Sequence, residues 1–169
     1  MKIDVHTHVL TVRSLTRSFK NAYKGVLYCV KNERNMRIHL IVATYVLVFS
    51  PFYNFTQTQY LVLILTIGIV LFAEAVNTTI EVLVNLETQC YDTLARIAKD
   101  VAAGAVLICA IFAAAVGIIL YLRPVTIAYI LYYLVANPVF GVIFLVSLPV
   151  AAAFIFGLPH RANFFKIKK

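Results

Sequence analysis

Two carboxylates and an amide within one apolar stretch are the residues whose types and spacing could do chemistry. Glu74, Asn77 and Glu81 fall within about 60° of one another on a helix that turns about 100° per residue. An ionisable side chain at membrane depth costs at least about 2.5 kcal/mol, so this polar face predicts a cavity lined by protein or water. The alternative is a pair of protonated glutamates that only hydrogen-bond to neighbouring helices.

The composition predicts that these residues lie in a membrane protein. The chain is 62% hydrophobic with a mean hydropathy of +0.89, and its seven acidic residues are too few for the mixed-charge surface of a soluble domain. The net charge of +8 comes from basic clusters near the two ends, beside apolar segments. Contact with anionic lipid headgroups explains this charge, and we expect no nucleic-acid partner.

The apolar segments predict an all-α integral membrane protein. We expect an N-terminal amphipathic surface helix, three core transmembrane helices and a fourth, C-terminal transmembrane helix. Residues 125–137 would be interfacial or would continue the fourth span as a kinked helix. The predicted ranges are about 11–35 for the surface helix and about 38–53, 60–86, 94–122 and 138–158 for the spans.

The division into segments follows from these ranges. Residues 1–12 are expected to be a flexible N-terminus, 13–122 the membrane domain, and 123–169 a hydrophobic extension to which we assign no chemistry. Because basic residues flank the first span and end the chain, the positive-inside rule predicts that both termini are cytoplasmic.

This topology brings the other polar residues to the depth of the Glu74 face. With a turn near residues 89–91, Glu81 and Asp100 would both lie roughly 14 Å along their helices from that turn. Carboxylates such as Glu33, Glu74, Glu81 and Asp100 supply the hard oxygen ligands that suit Mg²⁺ shared with phosphates. Five basic residues are available to neutralise a triphosphate: Lys24, Arg34, Arg37, Arg96 and Lys99. The chain has no P-loop or dinucleotide-binding glycine motif, so a nucleotide site would be of another type.

Four segments resemble the prokaryotic diacylglycerol kinase and undecaprenol kinase family over residues 13–122. They are residues 74–81 (EAVNTTIE), 32–39 (NERNMRIH), 19–25 (FKNAYKG) and the Lys99-Asp100 pair within 95–104 (ARIAKDVAAG). The NERNMRIH segment is more similar to the undecaprenol kinase branch. Asn85 stands where the family usually has Asp, and Thr79 where a smaller Ser or Ala is common. The segment after Leu122 lies outside the family pattern and has no lipid phosphatase motif.

The resemblance implies a membrane enzyme that phosphorylates a lipid alcohol with MgATP. It implies a homotrimer in the bacterial cytoplasmic membrane, with undecaprenol preferred over diacylglycerol. Glu74 would be the general base, with Asn77 beside the substrate or supporting the site. Glu33 and Glu81 would hold Mg²⁺, and the nucleotide would contact Lys24, Glu33, Glu81, Lys99 and Asp100.

A small ion- or proton-coupled transporter is the rival from another class, with Glu74 and Glu81 as its relay. Its weakness is that the polar groups crowd one side of the membrane. His39 is most simply interpreted as an interfacial residue, with contact to the site as the less favoured alternative. The sequence around His6 and His8 resembles a barrel metal motif but lacks the later ligands, and the three cysteines predict no disulfide framework.

Overall fold

The computed structural model describes the backbone of residues 5–87 and 93–157 and the side chains of residues 15–86 and 93–157. These residues form helices connected by short links. The α-helices are α1 (Val5–Asn32), α2 (Arg34–Phe49), α3 (Gln57–Glu87), α4 (Thr93–Tyr121), α5 (Pro124–Ala136) and α6 (Pro138–Phe156), and a 3-10 helix (Ser50–Tyr53) extends α2.

Four of these segments are long and apolar enough to cross a membrane. They are Arg34–Tyr53, Gln57–Leu86, Thr93–Tyr121 and Pro138–Phe156, and α5 is shorter. The prediction of an all-α membrane protein with four spans is therefore confirmed. The turn predicted near residues 89–91 lies outside the described residues.

α1 is the predicted amphipathic helix, and it begins earlier than the sequence pattern indicated. Residues 5–12, expected to belong to a flexible N-terminus, are helical, since neither Pro nor Gly interrupts the chain before Gly25. Leu15, Phe19, Tyr23 and Val26 form one exposed apolar stripe. The basic residues of α1 lie on the opposite side, as expected of a helix that rests on a membrane surface.

The core of the bundle is the pair α3 and α4, which make the most extensive helix contact in the described part of the chain. Small residues on α4 such as Ala102 allow this close approach. α2 packs against α3. At one end, Tyr53, Phe55 and Tyr121 form a cluster of edge-packed rings. We call this the Tyr53 end and the opposite one the Glu33 end.

The C-terminal extension runs from the Tyr53 end back to the Glu33 end. α5 contacts the 3-10 helix, and Ile130 joins the aromatic cluster. The helix is interrupted at Asn137, because Pro138 has no amide hydrogen to continue it. The segment predicted as interfacial or as part of a kinked span is thus a separate helix at the Tyr53 end. α6 then packs along α2.

Candidate active site

Glu74 is the most deeply buried side chain of the predicted polar face. It lies near the middle of α3 and is 1% exposed. Among the described residues no group donates a hydrogen bond to either carboxylate oxygen. A buried polar group without a partner is unfavourable, and such groups concentrate at functional sites. This burial fits a group that is completed by a substrate.

His39 is a site residue that the sequence interpretation did not favour. Its Nε2 lies 3.3 Å from Oε1 of Glu74, within ion-pair distance though outside hydrogen-bonding geometry. His39 is in the second turn of α2 and turns toward α3, so its interpretation as a merely interfacial residue is corrected. Its place in the segment 32–39, which carries the family resemblance, was the signal that could have identified it.

Asn77 and Glu81 are joined one turn apart on α3. Asn77 Nδ2 donates a 3.0 Å hydrogen bond to Glu81 Oε1, while Asn77 Oδ1 is buried without a partner. The side chain of Asn77 therefore orients the carboxylate of Glu81 and still offers an oxygen atom beside Glu74. The prediction that Glu74, Asn77 and Glu81 share a face agrees with this geometry.

α1 reaches the same region through Cys29. Burial raises the pKa of the Cys29 thiol, a hydrogen bond with Thr78 lowers it, and the carboxylate of Glu33 raises it. Thr78 is buried and its hydroxyl donates to the carbonyl of Glu74. The end of α1, and Glu33 with it, is thus held beside α3 near the Glu74 face.

Lys99 lies across the α3–α4 interface from Asn85. Its Nζ donates a 2.7 Å hydrogen bond to Asn85 Oδ1. The amide of Asn85 therefore provides an acceptor where the family usually has a carboxylate, and Lys99 is held on the side of α4 that faces α3.

Asp100 and Lys24 lie on outer surfaces of this chain. The Asp100 side chain is 71% exposed and pairs with Arg96 on α4 at 3.7 Å. Lys24 is exposed on the basic side of α1. Consecutive helical residues differ by about 100° in direction, so Asp100 turns away when Lys99 faces α3. Both predicted nucleotide contacts are thus oriented outward, away from the core of a single chain.

Arg37 was predicted to be available to neutralise a triphosphate, but its position does not allow this. Its side chain is 3% exposed and its guanidinium donates to backbone carbonyls of Val30, Lys31 and Ile155. Such a group is occupied by the protein itself, so the earlier interpretation is corrected.

The oxygen atoms of this site fit the chemistry of Mg²⁺. Glu81, one of the two carboxylates predicted to hold the metal, accepts a hydrogen bond from Asn77 Nδ2, and Asn77 Oδ1 is buried without a hydrogen-bond partner among the described residues. Hard oxygen donors of this kind are those that Mg²⁺ prefers, and Mg²⁺ takes only one or two protein carboxylates when phosphates complete its shell. In the described residues no group of three or more acids, histidines or cysteines forms a metal site by itself.

An apolar groove of about 250 Å³ runs from His39 toward the Tyr53 end. It lies between α2, α3 and α4 and is lined by aliphatic residues and alanines such as Val42, Leu63 and Ala113. Its polar lining comes from His39 and Thr66. The groove therefore offers space for hydrocarbon, with His39 in its lining and Glu74 behind His39.

Together the fold and the site define a multi-pass membrane protein with a buried carboxylate centre near one end of its helices. The chain belongs to the prokaryotic diacylglycerol kinase family, whose model matches residues 20–121. It is 41% identical over 112 residues to a diacylglycerol kinase of Synechocystis sp., covering 66% of this chain and 64% of that protein. It is 31% identical over 120 residues to an undecaprenol kinase of Bacillus subtilis, covering 71% of this chain and 98% of that protein.

These comparisons confirm the predicted family, and both relatives are named as lipid kinases. Nothing in them favours the transporter. The match spans less than two thirds of the Synechocystis relative. The roles predicted for individual residues, and the boundaries predicted for the extension, stay predictions. The motif around His6 and His8 lies outside the side chains that the structure describes.

Proposed function

We propose that this protein transfers the γ-phosphoryl group of MgATP to the hydroxyl of a membrane lipid alcohol. The observation that carries the proposal is the burial of Glu74, whose carboxylate has no hydrogen-bond donor among the described residues and contacts His39, which lines an apolar groove. A lipid with its chain in the groove would bring its hydroxyl to that carboxylate. Glu74 then accepts the hydroxyl proton as the oxygen attacks phosphorus.

The neighbours of Glu74 have distinct parts in this proposal. His39 holds the carboxylate from the α2 side. Asn77 orients Glu81 through its amide hydrogen bond and turns its free oxygen toward the substrate. Lys99, held by Asn85, meets the phosphates of the nucleotide. Because these groups are oriented before the substrate binds, little reorganisation is needed in the transition state.

Glu33 and Glu81 would hold the Mg²⁺ that enters with ATP. The ion, when bound, neutralises charge that develops on the transferring phosphoryl group. The two carboxylates orient the nucleotide against Lys99. Glu33 lies between α1 and α2, and Glu81 lies on α3. Two protein carboxylates are enough for Mg²⁺ when substrate phosphates complete its coordination shell.

The exposure of two predicted nucleotide contacts supports a homotrimer. Asp100 and Lys24 are exposed in the single chain, yet both were predicted to contact the nucleotide. In a trimer these outward side chains would face a neighbouring subunit. The site of each subunit would then be completed by residues of the next one.

The lipid is proposed to be undecaprenol first and diacylglycerol second. The relative named undecaprenol kinase is matched over 98% of its length, and the NERNMRIH segment is similar to that branch. The higher identity to a diacylglycerol kinase keeps diacylglycerol as the second acceptor. The product in either case is a lipid phosphate in the bacterial cytoplasmic membrane.

The topology proposed for this enzyme has both termini in the cytoplasm, where ATP is available. The contact between Arg37 and the carbonyl of Ile155 supports it, since the start of α2 and the end of α6 lie at the same end of the bundle. The positive-inside rule assigns that end to the cytoplasm.

The test is phosphoryl transfer by the purified chain in mixed micelles. ATP labelled at the γ-phosphate and Mg²⁺ are supplied with undecaprenol or diacylglycerol, and the labelled lipid is measured. We expect label in undecaprenyl phosphate, loss of turnover in Glu74→Gln, and little change in Thr79→Ala. Thr79 is a matched control because it is exposed on the same helix and, within the described part of the chain, its hydroxyl bonds only to the Ala75 carbonyl. Label in neither lipid would refute the proposal.

A further inference from the structure

Arg37 is a buried cation that the proposed chemistry does not use. Its Nε donates to the carbonyl of Ile155 at 3.1 Å, and its Nη1 donates to the carbonyls of Lys31 at 3.0 Å and Val30 at 3.4 Å. Among the described residues no carboxylate lies within ion-pair distance of it. A buried guanidinium without a counter-ion is unfavourable unless other negative groups surround it.

Those negative groups are the ends of two helices. Val30 and Lys31 are in the last turn of α1, and Ile155 is in the last turn of α6. The last carbonyls of a helix lack partners within the helix and carry the negative end of its dipole. The guanidinium of Arg37 therefore acts as one cation that caps two helices at once.

The capped end of α1 leads into a bend at Glu33, and we call residues 29–37 the Glu33 elbow. Arg37 is in the first turn of α2, and Glu33 is the extended residue between α1 and α2, with φ −103° and ψ 119°. Hydrogen bonds from Arg37 back to Val30 and Lys31 thus close the elbow across Glu33. The direction of the Glu33 carboxylate depends on the angle between these two helices.

α6 is held against α2 by a cluster of side chains near the middle of α6 and in the second half of α2. The hydroxyl of Tyr45 on α2 is 2.8 Å from that of Ser147 on α6, and the ring of Phe144 packs edge-on against Tyr45 and Phe49. These contacts bring the end of α6 to Arg37. The family match ends at residue 121, whereas α6 begins at Pro138, so a helix outside the matched region reaches a residue inside it.

We infer that Arg37 is a positioning residue through which the C-terminal helix α6 holds the Glu33 elbow in the geometry that binds the metal-nucleotide. Its link to metal binding rests on the proposed function, in which Glu33 is a ligand of Mg²⁺. The link between α6 and the elbow rests on the contacts above alone. The extension then becomes a part of the site, although it contributes no side chain to the chemistry.

The first experiment loosens α6 in the full-length protein without touching the site. The double variant Phe144→Ala, Ser147→Ala removes the ring contacts and the hydroxyl pair, and Leu145→Ala is the matched control because its side chain is exposed on the same turn. Amide hydrogen exchange is measured over residues 29–37 in micelles. We expect faster exchange there in the double variant and wild-type exchange in Leu145→Ala. Unchanged exchange at the elbow in the double variant would overturn the inference.

The second experiment measures binding of the metal-nucleotide itself. Binding of Mn²⁺ with a non-hydrolysable ATP analogue is followed by electron paramagnetic resonance in the wild type, the double variant and Arg37→Lys. Loss of a group that orients a metal ligand typically weakens binding on the order of tenfold. We expect that loss in Arg37→Lys and a smaller loss in the double variant. Should Arg37→Lys not fold, the double variant alone decides.

The two proposals fail in different ways. If wild-type protein labels no lipid but the α6 variants still loosen the elbow, the lipid kinase proposal fails and the coupling of α6 to Arg37 stands. If lipid is labelled and both the elbow and Mn²⁺ affinity are the same in every variant, the coupling is refuted. A merely structural role for Arg37 would lower the amount of folded protein without changing the Mn²⁺ affinity of the folded fraction, and this too would refute it.

Discussion

His39 on α2 and Glu74 on α3 are in contact, with the imidazole Nε2 3.3 Å from the carboxylate Oε1. The carboxylate has no hydrogen-bond donor in the described part of the chain, so the imidazole is the polar group that faces it. The contact therefore fixes how far α2 and α3 are shifted along each other, and it lies where the groove begins. The contact joins the lipid-facing groove to the proposed base.

We predict that His39→Ala lowers kcat for lipid phosphorylation by about 10- to 100-fold, because a misplaced base is inefficient. The KM for MgATP should change little, since His39 lines the groove proposed for the lipid and not the proposed nucleotide site. Steady-state rates at saturating lipid and varied ATP separate the two constants. A variant with unchanged kcat, or one in which only the KM for MgATP rises, would show that His39 does not position Glu74.

Much of this architecture could be predicted because helical periodicity and length are properties of single segments. The spacing of Glu74, Asn77 and Glu81 placed them on one face, and the apolar runs marked four spans. The direction of Asp100 was also available in principle, since adjacent helical residues cannot both face the same neighbour.

The pairing of residues between helices could not be predicted in the same way. The packing of side chains between α2 and α3 decides which turn of α2 meets Glu74. The polar pattern of α2 alone does not predict that turn. The burial of Arg37 likewise depends on α6, whose last carbonyls arrive from residues more than 100 positions later in the chain. Contacts of this kind belong to the packing of helices and not to any one segment.

The burial of Glu74 predicts a conflict between stability and activity. A buried polar group without a partner costs about 1–3 kcal/mol, so Glu74→Met should raise the free energy of unfolding by an amount of that order. The same variant should be inactive. Thermal unfolding in micelles measures the first effect and lipid labelling the second, with Thr79→Val as a control for adding an apolar group to α3. A lower midpoint for Glu74→Met than for wild type would mean that the 3.3 Å contact with His39 stabilises the fold by more than the missing hydrogen bonds cost.

The hydrogen bond from Lys99 to Asn85 predicts unequal effects for its two members. Lys99→Met should raise the KM for MgATP about tenfold, because it removes a charged hydrogen bond to phosphate. Asn85→Ala should raise it only about threefold, since it removes the group that holds Lys99. Asn85→Asp should keep the contact with Lys99, so the affinity for MgATP should be at least that of the wild type.

A double-variant comparison tests whether Asn85 acts through Lys99. If it does, the pair Asn85→Ala, Lys99→Met should resemble Lys99→Met alone in its KM for MgATP. Additive effects of the two substitutions would instead indicate that Asn85 contacts the nucleotide independently.

The thiol of Cys29 reports on the position of Glu33. Burial raises the pKa of this thiol above its ordinary value of 9.0, a hydrogen bond with Thr78 lowers it, and the Glu33 carboxylate raises it. Because the thiolate is the reactive form, alkylation of folded protein should reach half its maximal rate at a higher pH than in the unfolded chain. Rates are measured with iodoacetamide from pH 7 to about 11, in a chain with Cys90→Ser and Cys109→Ser.

Two substitutions should move this midpoint in opposite directions. Glu33→Gln removes a negative charge beside the thiolate, so the midpoint should fall. Thr78→Val removes the hydroxyl that can turn from the Glu74 carbonyl to donate to the thiolate, so the midpoint should rise. A midpoint that Glu33→Gln leaves unchanged would mean that the carboxylate points away from α1. The elbow would then have a geometry in solution different from the one in which Arg37 caps α1 and α6.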